Sequence, residues 1–268
     1  MSRNPPPLEM FGLRFERVQL AEAVEQVMAA ARLRRKGLVV TPNVDQVVKF
    51  EADPLMHEVY RNAMCVYADG MPLVWLSRVL DASGLPGRVT GSDLFPAVCQ
   101  QAAKEGLGVF FCGGDEGVAE TAAERLRSSC PGLIVSGINC PARGFERDAA
   151  ASARLVDEIN RSGAAILFLG VGAPKQEKWG ASHMAGLQVG PILCVGAAFG
   201  FAAGNVRRAP SLIRRAGMEW AWRLGLEPRR LWRRYLVDDT RIFGLAWREF
   251  RDSQRRGREA LDRILPPH

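Results

Sequence analysis

Four apolar runs in the sequence are each followed by polar residues or glycines that could bind a ligand. These segments are 41–43 (TPN), 69–72 (DGMP), 113–115 (GGD) and 170–177 (GVGAPKQE). In open α/β sheets, ligands bind at the carboxyl ends of the strands. If the apolar runs are parallel strands, the four segments lie at one edge of a sheet and predict a binding site there.

Two of these segments suggest particular chemistry. A carboxylate such as Asp69, at the point where a strand turns into a helix, can act as a general base, or it can simply cap the following helix. The pair Gly113-Gly114 allows backbone amides to approach a phosphate, to which the next helix N-terminus adds its partial positive charge. A plain tight turn explains the two glycines equally well, so both segments keep two interpretations.

Several reaction classes are excluded by missing motifs. The segment that starts at Gly170 is not a dinucleotide fingerprint, because Lys175 stands where the third glycine of GxGxxG is required. The sequence has no Walker A, GxSxG or CxxC motif, and its three histidines are far apart. The scattered cysteines predict a reduced protein without a structural metal. There is no DxD pair either, the carboxylate pair that holds a divalent cation in many nucleotide-sugar transferases. If a diphosphate is the leaving group, its charge must therefore be met by Arg, Lys and helix ends.

Short apolar runs alternate with helical patterns through the first 200 residues. This alternation indicates an α/β fold with a mostly parallel sheet and helices on both of its faces. The predicted strands are Gly37–Thr41, Cys65–Ala68, Gly108–Cys112, Leu133–Gly137, Ala164–Leu169 and Pro191–Val195. The predicted helices are Leu20–Arg35, Val44–Ala52, Pro54–Ala63, Met71–Leu80, Asp93–Lys104, Gly117–Ser128, Ala149–Arg161 and Lys175–Ala181.

The positive charge of the chain is concentrated at its C-terminal end. The formal net charge is +7, and residues 207–268 contain 16 Arg against 8 acidic residues, a net +8. The preceding residues contain 20 cations against 21 acidic residues, a net −1. A nearly neutral body therefore carries a basic tail.

The tail contains two helical patterns, Ser211–Leu226 and Pro228–Phe250, and four of the six tryptophans. In the second pattern, apolar residues from Trp232 to Phe250 fall on one predicted face, and Arg230, Arg234, Arg241 and Arg248 lie towards the other. An amphipathic pair rich in Arg and Trp fits an anionic membrane surface. It also fits a helical hairpin that packs on its own domain or on a partner subunit.

Nothing in the sequence predicts a targeting peptide or a membrane-spanning helix. The first residues contain no apolar stretch of the length that a signal peptide needs. The longest weakly polar run, Gly190–Gly204, has 15 residues and is too short to span a bilayer as a helix. We therefore expect a cytoplasmic protein. The sequence leaves open whether it is a monomer or a homo-oligomer.

The order of the motifs resembles one known family. The segments TPN (41–43), YADGMPLVW (67–75), RVTGSDL (88–94), FFCGGDEG (110–117) and GVGAPKQEKW (170–179) are followed by VGAAFGFAAGNVRRAP (195–210) and GMEWAWRLGLEPRRLWRRYL (217–236). Together they resemble the WecG/TagA/CpsF glycosyltransferases, glycosyltransferase family 26, from about residue 38 to about 236. One departure is Gly200, where the family usually has Asp.

The resemblance implies a Rossmann-like catalytic domain at 1–206 and a helical, membrane-associating appendage at 207–268. It implies an inverting, metal-independent enzyme that needs no cofactor. The donor would be a UDP-sugar, either UDP-N-acetylmannosamine-like or UDP-glucose/glucuronate. The acceptor would be a polyprenyl-diphosphate-linked saccharide, reached from the cytoplasmic face of the membrane, in the synthesis of cell-surface polysaccharide.

The resemblance also suggests roles for individual residues. Asp69 matches the proposed general base. The predicted substrate-binding residues are Thr41, Asn43, Arg88 and Gln176 by resemblance, the strand-end residues Gly113, Gly114, Gly172 and Lys175, and Arg223, Arg230 and Arg233 in the appendage.

Two other functions remain as alternatives. A Rossmann-type oxidoreductase fits the sheet, although the third glycine of its fingerprint is missing. A nucleic-acid-binding protein fits the Arg/Trp tail, but such a protein usually spreads basic charge over its main domain as well. The net charge of −1 on the body argues against it, so we expect no nucleic-acid partner.

Overall fold

The computed structural model describes residues 5–206, 209–210, 212–213 and 217–264, and the side chains of these residues except Arg223, Arg230 and 253–264. Within these residues lies a six-stranded, entirely parallel sheet. Its strands, in the spatial order β4-β3-β8-β7-β5-β6, are β3 (Gly37–Val40), β4 (Cys65–Val66), β5 (Val109–Gly113), β6 (Val135–Asn139), β7 (Ile166–Gly170) and β8 (Pro191–Cys194).

Helices cover both faces of the sheet, as the α/β prediction requires. One face carries α2 (Val44–Phe50), α3 (Pro54–Arg61), α4 (Met71–Leu80), α7 (Ala149–Arg161) and α8 (Lys175–His183). The other carries α1 (Leu20–Arg32), α5 (Gly91–Glu105), α6 (Val118–Ser129) and α9 (Ala198–Ala202).

Two hydrophobic cores result from the alternation of side chains along each strand. Leu167 and Leu169 of β7 point into the core beneath α2, α3, α4, α7 and α8. Ile166 and Phe168 of the same strand point into the opposite core. Both sets are fully buried, so every residue of the strand is apolar, and this is the continuous pattern from which the strands were predicted.

All six predicted strands are confirmed, each to within two residues at either end. Within residues 5–206, three features were not predicted, one of which is a short 3-10 helix at Phe145–Arg147. An antiparallel hairpin, β1 (Leu8–Met10) and β2 (Leu13–Phe15), turns through Phe11 and Gly12, which both have positive φ. The helix α9 was also missed, because its five residues are too few for a helical period to show.

The predicted helical tail is confirmed, but both of its helical patterns are interrupted. Leu212 and Ile213 are helical, but Gly217 has a φ of 73° in a turn, so the first pattern is interrupted there and resumes as α10 (Glu219–Leu226). The predicted start at Ser211 lies outside the described residues. The second pattern divides into α11 (Pro228–Arg233), a π-helical turn (Arg234–Asp238) and α12 (Arg241–Ile264).

The π-helical turn also interrupts the predicted apolar face of the second tail pattern. In the π-helical turn the Asp239 amide donates to the Arg234 carbonyl five residues back, at 2.8 Å. This extra residue shifts the helical phase. Within α12, Ile242 is buried against the body, whereas Phe243 and Trp247 are 67% and 65% exposed.

Candidate active site

The ends of β3 and β4 are joined by backbone hydrogen bonds around Asp69. The Asp69 amide donates to the Pro42 carbonyl at 2.9 Å, and the Val89 amide donates to the Ala68 carbonyl at 2.9 Å. These bonds bring Arg88, which is distant in sequence, beside the end of β4. Asp69 is half-buried at this edge of the sheet.

Asp69 does not occupy the cap position of the helix that follows. The N-cap of α4 is Gly70, with a φ of 125° and no capping side chain. Glycine is required there because other residues are strained at that φ. The interpretation of Asp69 as the N-cap of α4 is therefore wrong, because Gly70 occupies that position.

Thr41 and Asn43 lie in the loop after β3. Thr41 is buried, and an added Cβ on Gly91 would lie 3.2 Å from its Oγ1. Asn43 caps α2: its side chain accepts from the Gln46 amide at 3.1 Å, and its own amide donates to Gln46 Oε1 at 3.0 Å. This reciprocal pair fixes the direction in which the loop enters the helix.

Gln176 is a buried link between the ends of β7 and β8. Its Oε1 accepts from the Gly196 amide, after β8, at 3.1 Å, and its Nε2 donates to Glu177 at 2.9 Å. The helix carrying both side chains begins at Lys175, which is exposed, while the Gln176 amide donates to the Gly172 carbonyl at 3.1 Å.

Gly113 and Gly114 hold the ends of β5 and β7 together. Gly113 has a φ of 116°, and an added Cβ would lie only 2.5 Å from the Gly170 carbonyl carbon. The Gly114 amide donates to the Gly170 oxygen at 3.2 Å. One of the two amides proposed for phosphate binding is therefore already bonded within the protein.

We expect Gly113→Ala to lower the free energy of unfolding by about 3 kcal/mol, from the positive φ and the clash with Gly170 together. Gly172→Ala separates these two effects, because Gly172 has a φ of 85° but nothing within 4 Å of an added Cβ. Its expected cost is about 1 kcal/mol. Urea unfolding measures both. Equal losses in the two variants would show that the close approach does not require glycine.

The appendage contacts the body beside Asp69. Arg88 forms an ion pair with Glu219 of α10, at 2.8 Å, and both side chains are mostly buried. An added Cβ on Gly217 would lie 2.6 Å from Cβ of Met71, the first residue of α4. The tail therefore packs directly on the segment that follows Asp69.

A second appendage contact reaches Asn43. The Arg234 guanidinium lies 3.2 Å from Asp45 Oδ2 and donates to Asn43 Oδ1 at 3.4 Å. Burial and the nearby Asp45 carboxylate raise the pKa of Asp239 to about 6, while Arg234 and Lys49 oppose this rise. Positive and negative side chains therefore lie next to one another where the tail packs against α2.

The structure distributes the predicted tail arginines differently from the sequence prediction. Arg233 is exposed, and the side chains of Arg223 and Arg230 lie outside the described residues. Arg234, which was assigned to the polar face of the tail, contacts Asn43 instead. Sequence reasoning did not assign it to the site because the phase shift of the π-helical turn leaves no trace in the hydrophobic pattern.

In the described part of the chain, no group of three or more His, Cys, Asp or Glu residues could hold a metal ion. The same residues include no helix that is both long and apolar enough to cross a bilayer.

The fold and the site define an α/β domain in which a carboxylate (Asp69), an arginine (Arg88) and the loops after β3 and β8 lie at the carboxyl ends of parallel strands. Residues 8–256 match the model of the Glycosyl transferase WecG/TagA/CpsF family, and the chain belongs to this family. It is therefore a glycosyltransferase of cell-surface polysaccharide synthesis, a class that uses nucleotide-sugar donors and lipid-linked acceptors. The match extends beyond the motifs at 41–236 and includes the hairpin β1–β2 and much of α12.

Proposed function

We propose that this protein is an inverting glycosyltransferase that transfers a hexose or N-acetylhexosamine residue from a UDP-sugar to a polyprenyl-diphosphate-linked saccharide. The observation that carries this proposal is the position of Asp69. Backbone bonds hold it between the ends of β3 and β4, beside Arg88, and it does not occupy the N-cap of the next helix.

In the proposed reaction, Asp69 accepts the proton of an acceptor-sugar hydroxyl. The hydroxyl oxygen attacks C1 of the donor sugar from the face opposite UDP, and the bond between C1 and the diphosphate oxygen breaks. UDP leaves as an anion, and the configuration at C1 is inverted. A positioned base of this kind contributes about 100- to 10,000-fold to a rate.

The charge of the departing diphosphate is met, in this proposal, by the protein and not by a metal ion. Arg88 lies beside Asp69, Lys175 is exposed at the N-terminus of α8, and Arg233 is exposed on the appendage. Guanidinium groups bind phosphate oxygens in a bidentate manner, and a helix N-terminus adds partial positive charge. We therefore expect transfer without a divalent cation.

The donor sugar follows less directly from the site. Gly200, which replaces the usual Asp, lies in α9 near Val206, 3.3 Å from an added Cβ. Without that carboxylate, uncharged and charged sugars both fit the proposal. The donors proposed are UDP-N-acetylmannosamine-like sugars, UDP-glucose and UDP-glucuronate.

We also propose that the enzyme works as a peripheral protein on the cytoplasmic face of the membrane. The support is an exposed set of large apolar side chains on the appendage, Trp232, Leu236, Phe243 and Trp247. Aromatic side chains of this kind insert at the boundary between headgroups and acyl chains.

The function is tested by measuring UDP release from a panel of UDP-sugars, with a short-chain polyprenyl-diphosphate-sugar acceptor, with and without EDTA. We expect acceptor-dependent release from at least one donor, unchanged by EDTA. Abolition by EDTA would overturn metal independence. Reduction of a nicotinamide or flavin cofactor, with no UDP release from any donor, would instead favour the oxidoreductase alternative.

The pair between Arg88 and Glu219 gives a separate prediction. We expect Arg88→Ala to lower kcat/KM about 100-fold, because a charged group that binds the diphosphate is lost. Glu219→Gln keeps a hydrogen-bond acceptor for Arg88 and should change kcat/KM less than about 3-fold. UDP release measures both variants. Equal losses would mean that Arg88 acts only by holding the appendage.

A further inference from the structure

The carboxyl group of Glu177 is almost completely buried beside the site, with only 1% of the residue exposed. One of its oxygens, Oε1, accepts two side-chain hydrogen bonds. Gln176 Nε2 donates at 2.9 Å and Gln46 Nε2 donates at 3.4 Å. The two donors belong to different helices: Gln176 lies in α8, which follows β7, and Gln46 lies in α2, which follows β3.

The orientation of both glutamine amides is fixed by their other partners. A backbone amide can only donate, so Gln176 must present Oε1 to the Gly196 amide, which turns Nε2 towards Glu177. Gln46 likewise presents Oε1 to the Asn43 amide, which turns its own Nε2 towards Glu177. Glu177 Oε1 is therefore the acceptor on which both chains of hydrogen bonds converge.

Each of the two series of hydrogen bonds ends at a backbone amide in a loop that follows a strand. One runs from Glu177 through Gln46 to Asn43, and the other runs through Gln176 to Gly196. The strands that precede these loops, β3 and β8, are neighbours in the sheet. A single buried oxygen thus connects the loop after β3, which contains Asn43, with the loop after β8, which contains Gly196.

Burial of this carboxyl group costs free energy, because the group loses its hydration. Glu177 Oε2 has no hydrogen-bond partner in the described part of the protein. The ionisable groups facing the carboxyl are Tyr60 of α3 and Cys194 of β8, which are themselves buried. Burial raises the pKa of Glu177, and the hydrogen bond from Gln176 opposes the rise. An apolar residue would avoid the desolvation of this carboxyl.

We propose that Glu177 is a positioning residue for sugar transfer, which fixes the loop of Asn43 and the side chain of Gln176 through one shared acceptor oxygen. The role rests on the proposed transfer reaction. Because Glu177 is buried, it acts through its neighbours and does not touch substrate. Its value to the reaction lies in preorganisation: misplacement of a site group by about 1 Å can cost about 100-fold in rate.

The test compares two substitutions of similar volume. Glu177→Gln keeps an acceptor oxygen at Oε1, and Glu177→Met removes it. Ser77→Ala is the control. Ser77 of α4 is also fully buried and its hydroxyl accepts from the Leu85 amide, but none of its hydrogen bonds leads to the loops of Asn43 or Gly196. We expect kcat/KM within about 3-fold of wild type for Glu177→Gln and Ser77→Ala, and about 100-fold lower for Glu177→Met.

Hydrogen exchange at the Gly196 amide gives a readout that does not depend on catalysis. This amide is protected by Gln176 Oε1, so Glu177→Met should accelerate its exchange at least 10-fold, while Glu177→Gln leaves it unchanged. If wild type transfers no sugar, the proposed function fails, yet Gly196 exchange still tests the link from Glu177 to Gln176.

A double-mutant cycle separates positioning from loss of stability. If Glu177 acts through Gln176, adding Glu177→Met to Gln176→Ala should lower kcat/KM far less than it does in wild type. Fully additive losses would overturn the proposal. So would unchanged Gly196 exchange in Glu177→Met, or equal losses of kcat/KM in the Gln and Met variants.

Discussion

Asp69→Asn is expected to lower kcat about 1,000-fold while leaving the affinity for UDP within about 2-fold of wild type. Asparagine has nearly the same shape as aspartate but cannot accept the proton of the acceptor hydroxyl. The bond from the residue 69 amide to the Pro42 carbonyl involves only backbone, so it survives the substitution. The loss should therefore appear in kcat and not in binding.

Single-turnover transfer and calorimetric binding of UDP measure the two quantities separately. Asp115→Asn is the matched control, because Asp115 also follows a strand, β5, but is exposed and belongs to a different loop. It should retain wild-type kcat. A value of kcat for Asp69→Asn within about 10-fold of wild type would refute the role of general base.

The strands and their carboxyl ends were predictable because burial on both faces leaves a direct trace in sequence. All five residues of β5 are buried, so the strand is apolar throughout. Once the strands are parallel, Asp69, Asn43 and Gln176 must lie at one edge of the sheet. Topology thus explains why their location could be predicted from a list of strand ends.

The connections within the site could not be predicted in this way. Insertion of β8 between β3 and β7 brings Gly196 to Gln176, and spatial strand order has no local signal in the sequence. Glu177 shows the same limit. A glutamate in the first turn of a helix usually lies in solvent, where its negative charge interacts favourably with the positive end of the helix dipole. Here the packing of α2 and α8 makes Glu177 a buried hydrogen-bond acceptor instead.

The contacts of the tail could not be predicted either, because some of its charged side chains bind the body while others face solvent. Arg248 pairs with Glu51, and the Phe11 amide of the N-terminal hairpin donates to Glu249 at 3.2 Å. These contacts support the alternative of a tail that packs on its own domain. They leave one stripe of α12 uncovered, formed by Phe243 and Trp247, which are four residues apart and therefore neighbours on the helix surface.

The double substitution of Phe243→Ser and Trp247→Ser is expected to weaken binding to anionic vesicles roughly 100-fold. Both side chains are about two-thirds exposed, at 67% and 65%, so their removal takes little from the folded core. Partial insertion of two large aromatic side chains contributes about 3 kcal/mol, which corresponds to this change in affinity. Cosedimentation with vesicles that contain phosphatidylglycerol measures it.

Leu33→Ser with Ile134→Ser provides the matched control, because these residues are also exposed apolar side chains, at 79% and 49%, but lie on the body, outside the appendage. Vesicle binding by this control should equal that of wild type. The tail variant should also keep its kcat on a water-soluble short-chain acceptor and lose activity only on acceptor embedded in vesicles, since Phe243 and Trp247 lie on the exposed side of α12. Equal weakening by the two pairs would show that apolar exposure in general, and not the stripe on α12, holds the enzyme at the membrane.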